Sequence, residues 1–365
     1  MNFTGGAAGI AAAADKSFKI AGKTQTVHLT MTPSSVAGSA NYDLPIFGST
    51  TINFAGDANG LTGSASRSVT IAGKTQTVAL SVAANSISGV ADFDLPLFGV
   101  TSVNFTGNAN GLTANATKSI TLAGHTEEVT LDITPTSITG DGTFDLPVFG
   151  SRTFHFSGNS STLGASASLS NVSVANAVFN GNVALNTGGA VGTGSIELGG
   201  YKFTSASVNI TSGGAVSVTA SQNFTIGGKS VGFNLAYGNG AFSGSGRSTI
   251  TLGGYSFAGT FGLSSGGVTV SGSNTFSIGG KSITFGLNLV NNTFSAAGTF
   301  DITVAGTGFQ NCTATISSNG TVSANGSASI TVYYPSPTWS NPFRILSTTA
   351  TATLSYGNGK FSYSY

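Results

Sequence analysis

The 365-residue chain has 13 Lys and Arg against 12 Asp and Glu, so charged residues make up only 7% of it, where an ordinary soluble domain has roughly 25%. That neutrality gives copies little mutual repulsion, and the absence of a basic patch excludes a nucleic-acid partner. Fifty-three Gly exclude long helices, whereas 25 Phe at strand spacing supply enough burial to exclude disorder.

The chain opens on Met1-Asn2-Phe3-Thr4-Gly5, which aligns with Asn53-Phe54-Ala55-Gly56 and Asn104-Phe105-Thr106-Gly107. It enters repeat-like sequence at once, without a basic segment before Gly9 to Ala14, so no secretory signal is expected. No run of about 18 apolar residues offers a membrane helix.

The module that organises the rest is clearest at Ser68 to Gly99, SVTIAGKTQTVALSVAANSISGVADFDLPLFG. It occurs 51 residues earlier as SFKIAGKTQTVHLT and YDLPIFG, and 51 later as SITLAGHTEEVTLD and FDLPVFG. One class of turn, here called A, is expected at Gly22, Gly73, Gly124, Asn176, Gly228, Gly280 and near Tyr334. A second class, B, is expected at Gly48, Gly99, Gly150, Gly200, Gly254 and Gly306. Between them lie turns such as Thr32-Pro33-Ser34 and Asp57-Ala58-Asn59-Gly60, rich in residues that tolerate positive φ.

Segments between the turns alternate. In Lys229 to Tyr237, Val231, Phe233, Leu235 and Tyr237 share one face, and Ser230, Gly232, Asn234 and Ala236 the other. Period two between tight turns predicts antiparallel hairpins. The fold expected is all-β: tandem repeats of about 52 residues and four strands, about 28 strands in an up-and-down meander with complementary terminal strands. The small-residue face lacks charge and is expected to be covered. Residues 1–365 form one continuous array, broken only by a non-repeat Pro/Trp loop at 335–342. That loop holds the only Trp, Trp339, and reads as a cap or an exposed contact.

The few charges are patterned. Lys23 and Asp43, Lys74 and Asp94, His125 and Asp145, and Lys281 and Asp301 are each 20 residues apart. Folding about the intervening turn sets the members of each pair on adjacent strands, where they would fix register as cross-strand pairs. No nucleophile, general acid or oxyanion group accompanies the Asp row, so no catalytic site is expected. His28, His125 and His155 lie at unrelated repeat positions, which argues against a metal. Glu127-Glu128 with Asp132 reads as a solvated face. Gly-rich turns have no helix behind them to make a phosphate cradle. No cofactor and no small-molecule substrate is expected. Cys312 reads as a buried small apolar residue or an intermolecular bridge.

At the other end, Tyr356-Gly357-Asn358-Gly359 repeats the turn at Tyr237 to Gly240 and leads into Lys360-Phe361-Ser362-Tyr363-Ser364-Tyr365. This last strand is in phase to pair with the first. Asn2, Phe3 and Thr4 on one edge, and Phe361, Tyr363 and Tyr365 on the other, are the expected assembly strands. The leading expectation is a structural protein, not an enzyme. It would assemble with copies of itself by end-to-end strand pairing into an extracellular fibre, sheath or surface layer. An outer-membrane β-barrel channel is the alternative, resting on the aromatic C-terminal strand. A seven-bladed β-propeller binding module is a second alternative.

Overall fold

A computed structural model of the chain describes residues 2–6, 9–83, 85–335 and 345–365. It is all-β, with 29 antiparallel strands in meander sheets of 22 and seven strands. The expected count of about 28 differs because one strand position is split at Gly272, between Gly267–Ser271 and Ser273–Ile278. A side chain at Gly272 would meet the Ala258 carbonyl at 2.5 Å, so the chain breaks its ladder where backbones crowd. Tyr334, near which a turn was expected, lies in the strand Val322–Pro335 opposite Leu346, whereas Trp339 and residues 336–342 of the Pro/Trp loop fall outside the described residues.

The first strands set the pattern: β1 (Asn2–Gly6), β2 (Gly9–Ile20), β3 (Lys23–Met31), β4 (Val36–Leu44), β5 (Gly48–Asp57) and β6 (Gly60–Ile71). They continue as β7 (Lys74–Val82), β8 (Ile87–Leu95), β9 (Gly99–Gly107) and β10 (Leu112–Leu122). Each strand pairs with the next. Alternate residues are buried, as in β7, where Val78, Leu80 and Val82 are inside and the intervening residues are exposed. The chain divides into two compact units. Unit 1 comprises residues 1–174, 179–194 and 207–217, and unit 2 comprises 175–178, 195–206 and 218–365.

The small-residue face is not covered within the chain. Its Ser, Thr and Asn side chains are exposed and bond across strands: Thr70 to Thr75 at 2.7 Å, Thr117 to Thr130 at 2.9 Å and Thr143 to Thr153 at 2.9 Å. Hydroxyl pairs of this kind stabilise a sheet by about 0.2–1 kcal/mol each. They also satisfy polar groups without charge, which explains why a solvent-facing surface can be so poor in Lys and Glu.

The two turn classes have different chemistry. An A turn is a two-residue loop, with Ile71 opposite Lys74 and positive φ at Ala72 (50°) and Gly73 (78°). Two consecutive positive φ values match the right-handed twist of the flanking strands. A B turn places Pro96 before Leu97, whose φ is 68°, and the Phe98 amide donates to the Leu95 carbonyl at 3.1 Å. Pro sets the first corner, and the left-handed second corner turns Phe98 inward, where it is 4% exposed. Phe47 and Phe149 are buried in the same way. In unit 2 the B turns become two-residue loops such as Gly253–Gly254, between Leu252 and Tyr255.

Candidate functional site

The ladders of unit 1 are unequal, and that inequality builds its most distinctive feature. β2 pairs with β3 from Ala12–Met31 to Ile20–Lys23, and β4 with β5 along their full length. β3 and β4 pair only from Met31–Val36 to His28–Ser39. β7–β8 is similarly short, running from Val82–Ile87 to Ala79–Val90. Between neighbouring long hairpins the sheet therefore opens into a wedge, flanked by an A turn on one side and a B turn on the other.

A turn from further along the chain seats in each wedge. The amides of Ala21 and Gly22 donate to the Asn108 and Ala109 carbonyls at 3.0 and 2.9 Å. Those of Ala72 and Gly73 donate to Asn159 and Ser160 at 3.1 and 2.6 Å. The central amides of a two-residue hairpin loop lack ladder partners, so this contact satisfies donors that would otherwise depend on water. On the other wall, the ring of Phe47 meets Phe105 edge-on at 5.1 Å, and Phe98 meets Phe156 at 5.4 Å. A third seat is marked by Gly214, where a side chain would touch both Ala123 and Pro147. Sequence reasoning missed this docking because it joins residues seven strands apart. Its signal was present in the buried Phe of the Leu-Pro-x-Phe-Gly turns and in the Asn108-Ala109 and Asn159-Ser160 copies.

Three of the four pairs spaced 20 apart come together across the mouths of these wedges. Lys23–Asp43 lie at 3.9 Å, Lys74–Asp94 at 3.5 Å and His125–Asp145 at 3.9 Å, all well exposed. Exposed pairs contribute about 0–1 kcal/mol. Lys281 and Asp301 are not brought together in this way. Asp301 sits at an irregularity in its ladder and accepts the Asn311 amide at 2.7 Å. Two further pairs were legible but overlooked. Asp15 faces His28 at 2.8 Å and Asp141 faces His155 at 2.6 Å, each directly opposite on neighbouring strands. Folding the chain about Ala21-Gly22 and about the Val148 turn predicts both. Among the described residues, no group of three His, Cys, Asp or Glu could hold a metal ion.

Cys312 is fully buried, and burial with the nearby Asp301 carboxylate pushes its thiol pKa up. Of the expected assembly strands, Asn2, Phe3 and Thr4 lie in β1, whose described ladder is with β2. Phe361 and Tyr363 lie in the strand Lys360–Ser364, whose ladder is with Ile345–Gly357. Phe361 and Tyr363 are half-buried, and the adjoining Tyr365 is 73% exposed.

No family model, no curated protein and no solved structure matches the chain.

Proposed function

We propose that this is a structural β-repeat protein that assembles with copies of itself, end to end, into an extracellular fibre, sheath or surface layer. One observation carries the reading: contacts used inside each unit are left unused at its outer turns. The turn Asp57-Ala58-Asn59-Gly60 is a copy of Asn108-Ala109-Asn110-Gly111, yet all four of its residues are exposed, whereas Ala109 is half-buried in its wedge. In unit 2, the Gly227 amide donates to the Asn292 side-chain oxygen at 2.7 Å and Gly253 lies against Gly320, while the corresponding loop at Ala305–Gly306 is exposed. A surface that accepts and a different surface that inserts make a heterologous contact, which propagates unless rotation closes it. The edges of β1 and of the strand Lys360–Ser364 add backbone donors and acceptors to the same association.

The exposed face carries Ser, Thr and Asn, and the apolar face is buried. A lipid-facing barrel needs an apolar outward band, so this arrangement favours the assembly reading over the channel. β6 pairs with β7, β7 with β8, β8 with β9 and β9 with β10, so five strands pair in unbroken succession, more than one four-strand repeat, whereas propeller blades are separate sheets.

Negative-stain electron microscopy without detergent tests the reading. Filaments, tubes or rings are expected, and deletion of Lys360–Tyr365 is expected to abolish or shorten them. Uniform single particles at high protein concentration would overturn it.

A further inference from the structure

A second set of openings lies between the β4–β5 type of hairpin and the one that follows it. After β10 the strands continue as β11 (His125–Ile133), β12 (Ile138–Leu146), β13 (Gly150–Gly158) and β14 (Leu163–Val174). β5 and β6 pair only from Asp57–Gly60 to Asn53–Ser64, β9 and β10 from Gly107–Leu112 to Val103–Ala116, and β13 and β14 from Gly158–Leu163 to His155–Ser166. In the first two openings a cation on the later strand reaches back across the gap. The Arg67 guanidinium donates to the Ser49 carbonyl, and the Lys118 ammonium donates to the Val100 carbonyl at 2.7 Å. In the third opening the residue at that repeat position is Leu169, which is buried. The cation sits on the earlier strand instead, at Arg152, where the copies have Thr50 and Thr101. Those two threonines are buried, and their hydroxyls donate to the Gly48 and Gly99 carbonyls at 3.0 and 3.1 Å.

The exchange leaves Arg152 with an unused donor. Its Nε is the one buried side-chain nitrogen or oxygen among the described residues that has no hydrogen-bond partner. An unmet buried donor is costly, and more so on a charged group. The slot that Arg152 lines has a volume of about 530 Å³ and is shared with His155, Ser157, Ser166, Ser168 and Leu169. Asp141, His155 and Ser166 stand in one row across β12, β13 and β14, and the Asp141 carboxylate holds His155 at Nδ1, 2.6 Å away. Asp141 is thus engaged with His155, and among the described residues Arg152 forms no ion pair. The strand bordering the slot is altered as well. Its A turn falls at Ala175–Asn176, one residue later than the spacing of Ala72–Gly73 and Ala123–Gly124 would place it. Near the insertion Asn171 has φ of 50°, and its amide donates to the Asn180 side-chain oxygen at 2.6 Å. Irregularities of this kind re-aim side chains and recur beside binding sites.

We propose that this slot binds an acidic sugar, a ring with one carboxylate and several hydroxyls. The carboxylate meets the Arg152 guanidinium, whose planar donors match its two oxygens. Ring hydroxyls bond the hydroxyls of Ser157, Ser166 and Ser168, each of which can donate and accept. With Nδ1 held by Asp141, Nε2 of His155 remains for a further ring hydroxyl. One unmatched cation calls for one negative charge, and the nearby Asp141 carboxylate repels a second, which selects a carboxylate over a phosphate. The slot falls within the roughly 300–1,000 Å³ of small-molecule sites, more than a bare inorganic anion needs. Among the described residues no Phe, Tyr or Trp lines it, so binding rests on hydrogen bonds and is expected to be weak. The proposal is independent of the assembly reading.

Saturation-transfer difference NMR of D-glucuronate over the full chain tests this, because it reads weak binding to single particles and to filaments alike. The expected result is a saturable signal with a dissociation constant on the order of 1 mM. D-glucose, which lacks the carboxylate, should bind about tenfold more weakly or worse, and equimolar inorganic phosphate should not displace glucuronate. Arg152→Thr restores the residue of both sister openings, so the fold should tolerate it, as far-ultraviolet circular dichroism would show. It should weaken glucuronate binding by about tenfold or more. Ser168→Asp sets a carboxylate at an exposed position of the slot and should weaken binding about fivefold. That variant keeps the test decisive if Arg152→Thr disturbs folding. Arg67→Thr, in an opening where the guanidinium is bonded to the Ser49 carbonyl, should leave binding unchanged. Absence of a saturable signal, equal binding of glucuronate and glucose, displacement by equimolar phosphate, or undiminished binding by folded Arg152→Thr or by Ser168→Asp would overturn the inference.

Discussion

Replacing Phe98 by Ala tests whether the B-turn ring holds neighbouring coils of unit 1 together. Phe98 is 4% exposed, and returning a ring of that size to water forfeits about 1.5–3 kcal/mol. Phe98 packs on Phe156, and the turn that follows Phe156 is pinned at Asn159 and Ser160 by the Ala72 and Gly73 amides, so collapse around the void is restricted. Adding the cavity brings the expected loss to about 3–5 kcal/mol. Of this, the edge-on contact with Phe156, at 5.4 Å and 69°, should appear as about 0.5–1.5 kcal/mol of coupling in a double-mutant cycle with Phe156→Leu. Urea unfolding followed by far-ultraviolet circular dichroism reads the loss, with coincidence of a second probe required before a single free energy is assigned. Val100→Thr, at a residue 63% exposed, serves as a control expected to stay within about 0.5 kcal/mol. Amide exchange at Ala72 and Gly73 should quicken in Phe98→Ala because their acceptors lie on the same inserted turn. A loss below about 1 kcal/mol with no coupling to Phe156 would refute the seating of turns by these rings.

Ala305 occupies an exposed two-residue loop with φ of 46°, so Ala305→Asn should stabilise unit 2 by about 0.5–1 kcal/mol in the same unfolding assay. Ala72→Asn should do the opposite, because Ala72 is 3% exposed and lies against the turn at Asn159. Cys312 should resist a thiol reagent in the native chain at neutral pH and react on unfolding; its raised pKa keeps the protonated, unreactive form in place to higher pH than a free thiol. Rapid native labelling would contradict its burial. Asp94→Asn should cost less than about 1 kcal/mol, and the difference should shrink with added salt, since the Lys74–Asp94 pair is largely in solvent.

Much of the architecture was written locally. Ala-Gly and Gly-Gly pairs between strands specify two-residue loops, and Val78, Leu80 and Val82 alternate with polar residues along a single strand. These signals act between neighbours, so composition and spacing reveal them. Lys23 with Asp43 and Lys74 with Asp94 were legible for the same reason: one turn separates their strands. The seating of turns was not, because Ala21 and Asn108 are brought together by the curl of the sheet, and nothing in either segment alone encodes that curl. The small-residue face, expected to be covered, is not covered by other described parts of the chain; Thr70 with Thr75 and Thr143 with Thr153 show that its hydroxyls can satisfy one another without charge.

The seven-strand step between a wedge and the turn it holds has a consequence for how stability grows with length. In ordinary repeat arrays each unit touches only the next, and energies add as links in a chain of nearest neighbours. Here Ala21 reaches Asn108 and Ala72 reaches Asn159, 87 residues on in both cases. A fragment of one repeat therefore makes none of these contacts, and a fragment of two makes one set at most. Cooperativity should set in at a threshold length rather than rise evenly with each repeat. Such distant closures must also form late and slowly, so a nascent chain would carry its wedges open until the turn that fills them has been made.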